Sequence, residues 1–186
     1  MRIVKEKIKE IELNFFNQND LITFSYLKNV NEHYRLLVYI SYLYENEQLL
    51  DVGTAQGHSC LSLSQNKNNK IITYDIEPKT HVDFINYHNI EIKTLDINKE
   101  DADIINSSKF ISFDIDPHDG EQELNFYKKL IDINYKGIII CDDINLNDGM
   151  KNFWNKIYHE KYDITEIGHW SGTGLVNFSD EKIEII

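Results

Sequence analysis

The sequence predicts an α/β fold with a doubly wound, mostly parallel sheet and helices on both faces. Three observations carry this prediction. Short apolar runs alternate with amphipathic stretches from Gln48 onward, as parallel strands joined by right-handed crossovers require. The run Ile138-Ile139-Ile140-Cys141 shows no polar alternation, which suits a strand buried on both faces. None of the 8 glycines precedes Gly53, and the only prolines are Pro78 and Pro117, so the first 47 residues read as an N-terminal helical extension.

Taken in order, Ile3, Ile8 and Ile11 form a ragged apolar stripe, whereas Leu36, Ile40, Leu43 and Tyr44 follow a helical period. Strands are expected at 48–52, 71–76, 90–95, 110–115, 137–142, 164–167 and 174–178. A helix over 121–133 would carry Leu124, Tyr127 and Ile131 on one face. Another over 148–161 would carry Met150, Phe153, Trp154 and Ile157. Asp119 reads as the N-cap of the first of these, with Gln122 three residues on, while Glu121 and Glu123 suit its positive end. With no repeat, linker or low-complexity tract, residues 1–186 are expected to form one domain, in which 48–186 is the α/β core.

Composition narrows the function. The chain has 186 residues, 41% of them hydrophobic, and a formal charge of −12. Its lysines are scattered and its only arginines are Arg2 and Arg35, which disfavours nucleic-acid or anionic-membrane partners. The longest apolar-aromatic stretch, 36–44, is too short to span a bilayer. Cys60 and Cys141 lie in apolar segments without a C-x-x-C pair, so buried free thiols in a reducing compartment are expected, and with them a cytoplasmic location.

The segment L-L-D-V-G-T-A-Q-G, 49–57, is an apolar run ending in a glycine turn. The first strand-to-helix turn of an open α/β sheet is a usual ligand site, and Gly53 and Gly57 would let the backbone turn and approach a ligand closely. The spacing is not the G-x-G-x-x-G of dinucleotide binders, which handicaps an NAD-dependent oxidoreductase. About 24 residues beyond Asp51, a second strand ends in Y-D-I-E. An acid there commonly receives ribose hydroxyls; Asp75 is expected in that role, with Glu77 as the alternative.

Together, L-L-D-V-G-T-A-Q-G, I-T-Y-D-I-E, F-I-S-F-D-I-D and G-I-I-I-C-D-D-I resemble the class I S-adenosylmethionine-dependent methyltransferases, from about Leu49 to the end. The resemblance implies a Rossmann-like seven-stranded sheet whose last strand is antiparallel. It also implies that Asp51, Gly53 and Gly57 wrap the methionine end of S-adenosylmethionine (SAM), Asp75 holds its ribose, and Asp96 contacts its adenine.

A second cluster of acids follows the fourth and fifth strands. Asp114, Asp116, Asp142 and Asp143 should meet at one sheet edge, where like charges are costly unless a cation or protons neutralise them. Hard oxygen ligands suit Mg²⁺, which would lower the pKa of an acceptor hydroxyl. The D-x-D and D-D arrangement resembles metal-dependent O-methyltransferases acting on catechols and natural-product sugars. That resemblance implies Asp114, Asp142 and Asp143 as metal ligands and Asp116 as the base, with His118 as a competing base. The chain departs from those families at Ile115, where glycine is usual, and lacks the lysine base of the catechol enzymes.

In G-H-W-S-G-T-G-L-V, 168–176, His169 and Trp170 are expected to face an acceptor, since a flat aromatic can stack on a sugar or ring. His33, His81, His88 and His159 have no metal-ligand spacing and receive no role. D-I-D-P-H-D-G, D-D-I-N and G-H-W-S-G-T-G-L-V together also resemble small methyltransferase-like proteins of large DNA viruses and some bacteria, which implies a sugar or glycan acceptor. The expectation is a SAM-dependent O-methyltransferase of a small hydroxylated acceptor, with possible Mg²⁺ assistance and homo-oligomer formation. An NAD-dependent oxidoreductase and a non-catalytic methyltransferase-like binding module are the alternatives.

Overall fold

A computed structural model describes residues 1–21, 30–79 and 87–186. His81 and part of the expected N-terminal helical segment lie outside these residues. The strands of the main sheet are β2 (Gln48–Val52), β3 (Lys70–Asp75), β4 (Ile90–Thr94), β5 (Ser108–Phe113), β6 (Ile138–Asp142), β7 (Glu160–Asp163) and β8 (Thr173–Asn177). Their spatial order is β4-β3-β2-β5-β6-β8-β7. The first five strands run parallel, and β8 lies antiparallel to both β6 and β7. The seven-stranded sheet and its antiparallel last strand are as expected.

Period-two alternation divides the core into two layers. Leu50, Val52, Ile72, Tyr74, Ile111 and Phe113 point to one face, where they meet α5 (Glu121–Asp132) and α6 (Asp148–Lys156). Phe126 of α5 is fully buried and stacks on Phe113, with ring centroids 4.7 Å apart. Leu49, Ile71 and Phe110 point to the other face and pack with Leu36, Leu37 and Ile40 of α2 (Val30–Ser41) and Ile8 of α1 (Lys5–Lys9). In β6, Ile138 and Ile140 enter the second layer while Ile139 and Cys141 enter the first, so the strand is buried on both faces. Two further helices among the described residues, α3 (His58–Leu63) and α4 (Ala102–Asn106), are short.

Three expectations need correction. The strand expected at 164–167 lies at 160–163, and 165–167 is a 3₁₀ turn. β7 reads Glu-Lys-Tyr-Asp and forms the edge of the sheet, where charged residues discourage further pairing and leave no apolar signal in the sequence. The helix expected to reach 161 stops at Lys156, because Ile157 turns to extended backbone and the Lys161 ammonium caps the Trp154 carbonyl. The first residues are not helical: β1 (Arg2–Ile3) pairs in parallel with β9 (Glu184–Ile185), tying the two ends of the chain together. Among the described residues, no helix is long and apolar enough to cross a membrane.

Topology places the site. From β2 the chain winds outward through β3 and β4, then returns to β5 on the other side of β2. The winding reverses between β2 and β5, and a crevice opens outside the carboxyl ends of strands at such a point.

Candidate active site

The turn after β2 is held open by its own backbone. The N–H groups of Gly53 and Thr54 both donate to the Tyr74 carbonyl, at 2.8 and 3.1 Å, and the Asp114 N–H donates to the Val52 carbonyl at 2.9 Å. Gly53 has φ +100°, and a Cβ there would lie 1.5 Å from the Asp114 carbonyl oxygen. Only glycine permits β2 and β5 to close this tightly. Gly57, with φ 93°, is the N-cap of α3.

A cavity of about 500 Å³ opens beside this turn, bordered by Gly53, Asp75, Asp96, Asp114, Asp116 and His118. That volume falls within the roughly 300–1,000 Å³ usual for small-molecule sites. Asp75 is oriented by two backbone donors, Ala55 N–H to Oδ2 and Glu77 N–H to Oδ1, both at 2.8 Å. Asp96 accepts from the Asn98 N–H at 2.9 Å and so also caps the 3₁₀ turn at Ile97–Lys99. A smaller recess of about 300 Å³, lined by Lys70 and Ile90, lies at the opposite, amino ends of the strands.

Asp51 sits elsewhere. It is 1% exposed, beneath the turn, and accepts from Thr73 Oγ1 at 2.7 Å. Burial raises its pKa to about 7 against the lowering effect of hydrogen bonds from Thr73 and Ser59. Its carboxyl therefore supports the turn from below, and Gly53 and Asp75 form the wall of the cavity.

The second acid cluster adjoins the cavity. His118 Nε2 lies 3.0 Å from Asp114 Oδ1 and 2.9 Å from Asp143 Oδ2, while its Nδ1 lies 3.3 Å from Asp116 Oδ1. Hydrogen bonds to Asp114 and Asp143 raise the His118 pKa to about 11. Both ring nitrogens of His118 face carboxylates, which favours its protonated form over the neutral imidazole that the role of base requires. The Asp116 side chain is almost fully exposed at the cavity rim, 97% accessible.

His169 performs a parallel task on the other side of Asp143. Its Nδ1 lies 3.3 Å from both Asp142 Oδ2 and Asp143 Oδ1. Burial lowers its pKa, but the two carboxylates outweigh that and raise it to about 10. Burial likewise works to raise Asp143, yet hydrogen bonds from His118, His169 and Ser171 hold it well below the usual carboxylate range. Asp114, His118 and Asp143 form one group of donors within metal-binding distance of one another, and Asp142, Asp143 and His169 form another. The three carboxylates expected as one ligand set are thus divided between two groups that share Asp143. Both His118 (φ 56°) and Asp143 (φ 59°) adopt left-handed backbone, a strain of about 1–3 kcal/mol each that tends to concentrate at functional sites.

Solved structures resemble this architecture. The SAH-bound methyltransferase PaMTH1 of Podospora anserina superposes with a TM-score of 0.61 at 14% identity, over 79% of this chain and 78% of that one. The O-methyltransferase TomG of Streptomyces achromogenes, involved in tomaymycin synthesis and solved with SAM, gives 0.54 at 14% identity over 91% and 99%. An O-methyltransferase of Bacillus cereus solved with SAH gives 0.54 at 13% identity over 92% and 88%. The chain has the class I methyltransferase fold. No protein-family model and no curated protein matches the sequence.

On this methyltransferase fold, α2 brings residues to the site that carried no signal of their own in the sequence. His33 is 6% exposed, and its Nδ1 lies 3.8 Å from Asp142 Oδ1. Burial, followed by the charges of Asp114, Asp142, Asp51 and Asp20, pushes the Tyr34 hydroxyl above its usual range. Trp170 is 51% exposed beside His169, with ring centroids 5.7 Å apart. His159 stays outside the site, bonded to the Tyr127 hydroxyl at 2.8 Å.

Two outcomes follow from the turn. Gly53→Ala forces a Cβ into the Asp114 carbonyl at positive φ, and urea denaturation should show a loss on the order of 3 kcal/mol or more. For Asp51, the folded pKa of about 7 exceeds the ordinary value of about 3.9, so the native state holds an extra proton between these limits and stability falls as pH rises through them. Asp51→Asn cannot ionise. Its stability relative to the parent should rise by on the order of 1–3 kcal/mol between pH 4 and pH 8, measured by denaturant titration, and a pH-independent difference would exclude ionisation of Asp51 as the cause.

Proposed function

We propose that this protein transfers a methyl group from SAM to an oxygen of a small hydroxylated acceptor, such as a sugar or glycan. One observation carries the reading: the cavity at the sheet's reversal point has a ribose-type acid on one wall and a carboxylate cluster on the other. The residues fit the cofactor. Gly53 leaves the backbone bare where a ligand would lie, Asp75 presents carboxylate oxygens to ribose hydroxyls, and Asp96 stands beside Ile97 on the adenine side. Bound SAM supplies an electrophilic methyl carbon on sulfur.

The chain's own residues serve the acceptor. As the new carbon–oxygen bond forms, the acceptor hydroxyl must lose its proton; Asp116, exposed at the cavity rim, is our candidate to take it. Asp114 and Asp143, which fall in one donor group, provide hard oxygen donors for a divalent cation such as Mg²⁺, which when bound would lower the acceptor's pKa; Asp142 belongs to the neighbouring group. His118 bridges Asp114 and Asp143 and would balance their charge when no cation is bound between them. Exposed Trp170 offers a flat face to a sugar ring.

Calorimetry should show one equivalent of SAH bound and no comparable response to NAD; tight NAD binding without SAH binding would sink the reading. Asp75→Ala should weaken SAH binding about tenfold or more, roughly 1.4 kcal/mol. In an assay of SAH release over a panel of sugars, Asp116→Asn should lower kcat by about 10²- to 10⁴-fold while SAH still binds. In the same assay, EDTA should abolish turnover and Mg²⁺ should restore it; unchanged turnover would remove the metal from the mechanism.

A further inference from the structure

On its Asp96 side the cavity is walled by a turn too short to hold itself. Leu95, Asp96, Ile97 and Asn98 border the cavity, and the 3₁₀ turn at Ile97–Lys99 is only 3 residues long. A single turn leaves most of its carbonyls without partners inside the turn. The Lys129 ammonium of α5 reaches them from behind. It donates to the carbonyls of Ile97 at 3.1 Å, Asn98 at 2.8 Å and Glu100 at 2.7 Å. An ammonium has three N–H groups, so this one is saturated and has none left for a ligand. Lys129 itself does not border the cavity.

Both ends of this clamp are fixed. Phe126 and Leu130 are fully buried and anchor the helix from which Lys129 reaches. Glu100 is buried as well, and its carboxylate accepts from the Tyr74 hydroxyl at 2.9 Å and the Lys93 ammonium at 2.5 Å, which ties the turn to β3 and β4. A turn held from helix and sheet gives Asp96 one orientation. Asp96 Oδ1 accepts the Asn98 N–H at 2.9 Å, while Oδ2 has no hydrogen bond among the described residues. A carboxylate only accepts, so it suits a base edge that offers a donor and opposes one that offers a carbonyl. The exocyclic amino group of adenine is such a donor, and the carbonyl that replaces it in hypoxanthine is not.

We propose that Lys129 is a positioning residue for the nucleoside: it clamps the backbone of Ile97, Asn98 and Glu100 from outside the cavity and so sets Asp96 to select an amino-purine base. The inference rests on the reading of the cavity as a SAM site and adds the residue that gives that site its base preference. Without the ammonium, three carbonyls turn to water, the turn loosens and the Asp96 carboxylate loses its fixed direction. The ribose side is independent of the clamp, because Asp75 is oriented by the N–H groups of Ala55 and Glu77. Loss of Lys129 therefore acts on recognition of the base and spares the rest of the ligand.

The test is calorimetry on the full chain with SAH and with S-inosylhomocysteine, in which a carbonyl replaces the amino group of the base. The parent should prefer SAH about tenfold or more. Lys129→Met should weaken SAH about tenfold and S-inosylhomocysteine less than about threefold, so that the preference nearly disappears. Lys128→Met, at the exposed neighbouring position of α5, should change neither ligand by more than about twofold. In an Asp96→Asn background, Lys129→Met should cost less than about a further threefold, because it acts through Asp96. Hydrogen exchange of the backbone at 96–100 should quicken in Lys129→Met, and Lys129→Gln gives the same comparison should that variant not fold. SAH binding by the parent with no change in Lys129→Met, or equal weakening of both ligands, overturns this inference and leaves the SAM reading standing. A parent that does not bind SAH overturns both.

Discussion

Electrostatic repulsion at one edge of the sheet is the constraint around which this molecule is built. Parallel strands bring Asp114 at the end of β5 and Asp142 and Asp143 at the end of β6 to the same place, because neighbouring strands lie only about 5 Å apart. Unopposed, such charges would raise one another's pKa values or push the strand ends apart. His118 and His169 oppose them from either side, each between two carboxylates at 2.9–3.3 Å. Asp143, bonded by both, is the hinge of the arrangement.

This network explains local features that would otherwise count as defects. His118 and Asp143 adopt left-handed backbone, and that geometry aims the imidazole of one at the carboxylate of the other. The cost is about 1–3 kcal/mol per residue, a large fraction of the stability of a typical domain. The turn at Gly53 shows the same economy in steric form. The Asp114 carbonyl fills the space a Cβ would need, so cofactor-type cavity and acid cluster share one contact between β2 and β5. The two halves of the proposed reaction are thereby set side by side by a single backbone approach.

Legibility in the sequence follows the range of the interactions. Strands β2, β3, β5, β6 and β8 announce themselves because burial on one or both faces demands apolar residues in short runs. β7 is hidden because an edge strand must be charged, and its Lys161 and Tyr162 gain order only by pairing with Val176 and Leu175. The N-cap at Asp119 is legible in part: its carboxylate accepts from the N–H groups of Glu121 and Gln122, at 2.8 and 3.2 Å. Gly120, though, is the N-cap residue, and Glu123 occupies the buried third position expected for Gln122. The pairing of β1 with β9 unites residues 2–3 with 184–185, and no local pattern encodes a contact of that span.

What the sequence by itself determined is the alternation of strands and helices, the glycine turn at Gly53 and the placement of acids at strand ends. Each depends on residues close in the chain, whose burial, backbone freedom or charge must suit its own element. Only the tertiary structure decided which acids meet which histidines. Asp51 went beneath the turn because β2 is covered on both sides. His118 is drawn toward its protonated form because Asp114 and Asp143 converge on it from different strands. His33, ordinary within its helix, faces Asp142 because α2 packs across the sheet. The physical reason is that a side chain's charge and partners are set by distance in space, and folding brings 33, 142, 143 and 169 together from segments that share no local pattern.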